Sequence, residues 1–259
     1  MSTPPVATPA YLRPPVLEAV IGITFAQPLD DKTLARADQR IGTHYPAHEG
    51  LNNTSVSVSL NMGEDRRMVA APGESTTVHG HKRMSPGMDE LAILMPNSLT
   101  VSQLAPYPGW DTFVARFKRD FHGYMGRQKT RQLSRVGVRN INRIDIPVSG
   151  DIVQHEQYLN FYPRVPDAMG PIVAYGMQVS FAIREIDGQA TLRTTPVASP
   201  TLGHASFILD IDVYTTSNLP MNEAALYQLL QHMRVAKNRV FEECITKRAR
   251  QEIFGHANR

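Results

Sequence analysis

From Arg135 to Pro147 the side chains alternate with a period of two, the signature of a strand with two unlike faces. Val136, Val138, Asn140, Asn142, Ile144 and Ile146 share one face. Arg135, Gly137, Arg139, Ile141, Arg143 and Asp145 share the other. The same period runs through Leu17, Ala19, Ile21, Ile23 and Phe25, where both faces are fairly apolar, as in an interior strand. TSVSVSLN, residues 54–61, predicts a half-buried strand with a polar outer face. ELAILM and SLTVSQL flank Pro96-Asn97 and predict a hairpin. In the second half, Tyr175–Ile186 and Gln189–Val197 flank Asp187-Gly188, a tight-turn dipeptide, and Ser206–Tyr214 adds a third strand.

A helical period replaces the period of two in three places. Leu34, Ala37 and Ile41 mark a helix within Leu29–Tyr45, capped by Asp30 or Asp31. Trp110, Phe113, Val114, Phe117 and Phe121 give the segment Trp110–Met125 an aromatic stripe that belongs in a core. After Pro220, Leu226, Leu229, Leu230, Met233, Ala236, Val240, Phe241, Cys244 and Ile245 mark one face of a helix expected from Asn222 to Phe254. Such a helix spans on the order of 50 Å. Cys244 on that face reads as core, Lys237 as a solvated residue, and Asn238 as a partner for a strand edge. Residues 61–90, with Gly63, Pro72, Gly73, Gly80, Pro86 and Gly87, predict short strands and an exposed loop.

These elements predict an α+β fold: mostly antiparallel sheet packed by two or three helices, including a long C-terminal one. Five prolines between Pro4 and Pro15 make residues 1–14 an extended, flexible arm. Strands followed by a helix occur twice, which suggests two similar α+β halves, 15–147 and 148–259, able to join in one compact unit.

Composition narrows the functional classes. The 259 residues are 42% hydrophobic and 20% charged, ordinary for a globular chain able to bury a full core. No apolar run approaches the roughly 20 residues that span a bilayer. The start of the chain lacks the basic and apolar regions of a secretory signal, so a cytoplasmic, non-membrane protein is expected. A single cysteine excludes an intramolecular disulfide and a cysteine-rich zinc site. The net charge of +3 is modest for a dedicated nucleic-acid binder.

PPVLEAVIGITF, LAPYPGW, RVGVRNINRIDIP and HMRVAKNRVFEECIT occur in this order along the chain. In these segments, from about Pro14 to Ile253, it resembles a sporadically distributed, functionally uncharacterised family of bacterial proteins. The resemblance implies a component of a bacterial accessory or defence system and transfers no catalytic residue. Residues 63–87 do not share in it.

The candidate chemistry centres on the cationic face. Successive members of the row Arg135, Arg139, Arg143 lie about 13 Å apart along a strand. Arg127, Lys129 and Arg131 stand just upstream, with no acid between Arg127 and Arg135. Guanidinium forks bind phosphates and carboxylates, so these six form a candidate anion or partner surface. The alternative is structural: Glu18, Asp210 and Asp212 supply acids from neighbouring strands. Asn140 and Asn142 then join a polar network, fixing register or sitting at a bulge. Glu18, Asp210 and Asp212 could also hold Mg²⁺. His79 and His81 share a strand face but need further ligands, such as His44 or His48, to hold zinc.

No nucleotide-binding, hydrolase or metalloprotease motif is present. The first expectation is therefore a non-catalytic binding, assembly or regulatory protein without a cofactor. Its partner is another protein or a second copy, reached through the arm or a strand edge. Two alternatives stay open: nucleic-acid binding through residues 127–143, and a metal-dependent enzyme acting on a phosphorylated small molecule.

Overall fold

The computed structural model describes residues 11–62, 68–128, 131–148, 153–170, 172 and 174–255, and from 52 to 78 the strand backbone only. Strand β1 (Val16–Phe25) turns its alternate residues Ala19, Ile21, Ile23 and Phe25 inward. Helix α1 (Asp31–Gly42) starts where the Asp30 carboxylate accepts the Thr33 N–H at 2.7 Å, so Asp30 is the cap. Strands β2 (Ala47–Met62), β3 (Met68–Met84), β4 (Glu90–Met95) and β5 (Ser98–Leu104) follow as antiparallel neighbours. Helix α2 (Trp110–Met125) lies beside α1 on the same face. At Gly123 a Cβ would come within 2.8 Å of Ile41, so the absent side chain sets how closely these two helices approach.

Strand β6 (Leu133–Pro147) opens the second half, followed by β7 (Met177–Ile183), β8 (Gly188–Val197), β9 (His204–Thr215) and helix α3 (Glu223–Cys244). Among the described residues the nine strands form one sheet in the order β2-β3-β4-β5-β1-β6-β9-β8-β7. Outward from the central antiparallel pair β1–β6, the sequence β5-β4-β3 on one side mirrors β9-β8-β7 on the other. Each arrangement ends in a helix, α2 or α3. The mirrored strand orders meet at the β1–β6 pair, with β6 the first strand after α2. Among the described residues no helix is long and apolar enough to cross a membrane.

The helix-covered face holds the core: Val136, Val138, Ile144 and Ile146 of β6 meet Leu209, Ile211 and Val213 of β9 beneath Leu230, Met233 and Val240 of α3. The aromatic stripe of α2 is buried beside them, with Phe117 fully enclosed. A buried phenylalanine stabilises by roughly 1.5–3 kcal/mol.

Three expectations need correction. Residues 68–84 form one long strand despite Pro72, Gly73 and Gly80, because β2 supplies a continuous partner from Met84 back to Met68. The Asp187-Gly188 hairpin closes through a short 3-10 turn, Arg184–Ile186, with Asp187 in the left-handed region, and not through a two-residue turn. The C-terminal helix ends at Cys244, well short of Phe254. Ile245 is extended and bridges Leu159, and a π-helical turn, Ala249–Ile253, follows. At 22 residues α3 is about 33 Å long.

Candidate functional site

The two faces of β6 perform different tasks. On the open face its arginines meet acids within the molecule. Arg139 donates to both oxygens of Asp210, each at 2.7 Å, and Arg193 of β8 donates to the same carboxylate at 3.3 Å. Arg135 reaches Asp212 at 2.9 Å, lying across Gly137 and over the Tyr214 ring. Arg143 donates to Asp145 at 3.0 Å, and Ser206 donates to that carboxylate at 2.6 Å. Burial raises the Asp212 carboxyl above its ordinary value, against the opposing pull of Arg135 and Arg139. Glu18, on the adjacent strand, acts on Arg139 through its charge without direct contact. Register explains the pairing: Arg139 stands opposite Asp212 and Arg193 opposite Asp210, so each long side chain reaches an acid directly or diagonally.

The upstream cations are dispersed. Arg131 stacks on Phe25, 4.0 Å from the ring centre, and donates to the Gln27 carbonyl. Arg127 is exposed, and Lys129 lies outside the described residues. At Gly137 an added Cβ would meet the Arg135 guanidinium at 2.9 Å and Tyr214 at 3.2 Å. Gly137→Val is expected to displace Arg135 from Asp212 and cost about 1–3 kcal/mol, read from the midpoint of urea unfolding at unchanged slope.

On the helix-covered face the alternation continues through Asn140 and Asn142. The strand is unbroken there, because the register shift falls in β1, between Val16 and Glu18. Both asparagines are buried. Asn142 donates to the Leu209 carbonyl at 3.0 Å, whereas the Asn140 amide makes no hydrogen bond with a described residue. They form the floor of a cavity of about 460 Å³. Its walls are Lys237 and Phe241 of α3, Tyr107 just before α2, Trp110 at the start of α2, and Arg234, whose guanidinium lies 5.5 Å from the Trp110 ring centre. That volume falls within the range of small-molecule sites.

Lys237 corrects the sequence reading most sharply. It is 7% exposed, not solvated. No described residue hydrogen-bonds or neutralises its ammonium group. Burial pushes it down from 10.5 to about 7, and the Arg234 charge acts in the same direction. Glu242, the acid at the rim, is engaged elsewhere: it accepts from Arg250 at 2.8 Å and from the Tyr11 hydroxyl at 2.7 Å. Helix α2 opens on the cavity through Gly109, whose φ of +97° suits glycine and which offers no side chain to cap the first-turn N–H groups. Such N–H groups carry partial positive charge. Burial also raises the Tyr107 hydroxyl to about 12, keeping it neutral.

The periodicity of α3 carried a signal for Lys237. Leu226, Leu230, Met233, Lys237, Val240 and Cys244 are spaced alternately by four and three, so the lysine stands in the middle of the buried stripe. Cys244 is in the core as expected, with its thiol pushed up to about 12 by burial. No protein-family model matches this sequence, and no curated protein matches it.

Proposed function

We propose that the protein binds a small organic anion with a flat apolar body in the cavity beneath α3. One observation carries this reading: Lys237 and Arg234 share the cavity wall, and among the described residues neither has an acid partner. An uncompensated buried ammonium costs several kcal/mol, and an anionic ligand offsets that cost. The uncapped start of α2 favours the same sign of ligand charge. Tyr107, Trp110 and Phe241 offer aromatic walls, and the Asn140 amide offers donors and an acceptor for the ligand's polar edge. This reading replaces the expected protein partner or second copy with a small molecule. The pairing of Arg135, Arg139 and Arg143 with acids favours it over a nucleic-acid surface. The same pairing occupies Asp210 and Asp212, which the metal-dependent enzyme reading required.

The test is calorimetric titration with phenyl phosphate, inorganic phosphate and phenol as probes. Phenyl phosphate is expected to bind most tightly and phenol least. Lys237→Met and Arg234→Gln should each weaken the phosphate ester by tenfold or more, about 1.4 kcal/mol. The pH dependence follows from linkage. The free protein has Lys237 near 7, and a bound anion raises it, so binding takes up a proton above that pH. Affinity should fall by nearly tenfold per pH unit above about 7 and lose this component in Lys237→Met. Equal binding by wild type and Lys237→Met would overturn the proposal.

A further inference from the structure

We propose a second, independent site: Asp38, His48 and His81 bind a zinc-class divalent metal ion between α1 and the β2–β3 pair. The sequence suggests His79 as partner to His81, but β3 departs from regular register opposite Leu51/Asn52, and His79 is exposed. Strand pairing brings a different histidine. His81 stands opposite Gly50, and His48 lies two residues from Gly50 on the same face. The ring nitrogens His48 Nε2 and His81 Nδ1 end 3.1 Å apart. Asp38, on the inner side of α1, places Oδ2 3.9 Å from His81 Nδ1. The three ligand atoms lie within 4.8 Å of one another.

Those separations match a small tetrahedral ion. With Zn–N bonds of about 2.0–2.1 Å, two ligand nitrogens in a tetrahedron stand about 3.3–3.4 Å apart. Modest side-chain adjustment brings the carboxylate to bonding distance. Two imidazoles and one carboxylate favour zinc, cobalt or nickel over magnesium or calcium. Burial lowers the His81 imidazole below its ordinary value, with His48 and Arg83 adding to this and Asp38 opposing it. Neutral imidazole is the form that ligates. Arg83 orients Asp38, donating from Nε to Oδ1 at 2.7 Å and from Nη2 to Oδ2. A carboxylate has about four lone-pair directions, so Oδ2 retains one for a metal. The neighbouring guanidinium charge weakens the site relative to tight structural zincs. Three protein ligands leave a fourth position at the exposed side, beside His48.

The site is separate from the anion cavity. Strands β3 and β6 are four places apart in the sheet, about 19 Å at roughly 4.8 Å per strand. One small substrate cannot bridge both, so failure of one proposal leaves the other standing.

The experiment is titration of the full chain with zinc chloride by calorimetry, and with cobalt chloride by visible absorption. Saturation at one ion per chain is expected, with a cobalt spectrum of low coordination number. His48→Asn and His81→Asn should each weaken zinc by about 10–100-fold, and His79→Asn should leave it unchanged. His48 is exposed, so its variant folds even if the His81 variant does not. Zinc binding unaffected by His48→Asn, or lost equally in His79→Asn, overturns the proposal, as does failure to saturate at one ion per chain.

Discussion

Asp210→Ala lowers the unfolding free energy by about 3 kcal/mol, the largest expected loss from a single change on the open face. The carboxylate is 5% exposed, and its oxygens receive both Arg139 donors and one from Arg193. Removing it takes away the carboxylate that both arginines bond directly and leaves Asp212, already bonded to Arg135, to act on them through charge alone. The arginines are more accessible than the acid, with side chains 40% and 43% exposed, so water recovers part of the loss. That places the value at the lower end for buried pairs and well above the range for surface pairs. In a protein of this size the melting midpoint should fall by about 6–12 °C. The second change tests the mechanism. Arg139→Met in the Asp210→Ala background should restore part of the stability, because it removes one of the stranded charges. A loss below about 1 kcal/mol, or no recovery in the double variant, would place these contacts among surface ion pairs of little consequence.

Two partners of the arginine row, Asp210 and Asp212, were legible because a strand's period is two, whereas Asp145, the partner of Arg143, was not among the acids the sequence offered. Once β6 and β9 are both strands, Arg139 and Asp210 must share a face if the strands pair, and register alone decides contact. The core was legible for the same reason, through the inward residues of β1, α2 and β6. Long-range choices were not. The end of α3 has no glycine or proline to announce it. Ile245 leaves the helix to bridge Leu159, some 86 positions earlier in the chain. Continuous β3 was hidden by its glycines and proline, since pairing with β2 overrides local propensity. A second buried network escaped sequence reasoning entirely. Tyr45 donates to Asp120 at 2.5 Å, Arg119 donates to the same carboxylate at 2.8 Å, and Arg116 donates to the Tyr45 hydroxyl at 2.9 Å. Its members come from α2 and the loop after α1, and no sequence spacing brings them together. The cavity lies between these cases. Asn140 and Asn142 signalled a polar spot on an apolar face, and Lys237 signalled one on an apolar helical stripe. Only the packing of α3 over β6 shows that the two spots face one another.

That coincidence makes Lys237→Met the most informative variant. It is expected to stabilise the ligand-free protein at pH 7 by on the order of 3–5 kcal/mol while weakening anion binding by tenfold or more. Lys237 ionises near 7 in the folded chain and near 10.5 when unfolded. Between those values the unfolded chain binds the extra proton, so the stability of the wild type rises with pH across that window. At and below pH 7 the full penalty of burying the ammonium is present, and near pH 10.5 it has gone. Methionine, similar in length and uncharged, carries no such penalty. Its advantage should therefore be greatest near neutrality and shrink steadily towards pH 10.5. Comparing urea unfolding of wild type and variant at pH 7 and pH 10 isolates this lysine from other titrating groups, since those are common to both proteins. A lysine kept for stability gives the opposite sign, with the variant weaker at every pH. A lysine kept for a ligand gives a stronger protein that takes up the phosphate ester at least tenfold more weakly, the exchange of stability for function expected where a charge is held ready for an incoming anion.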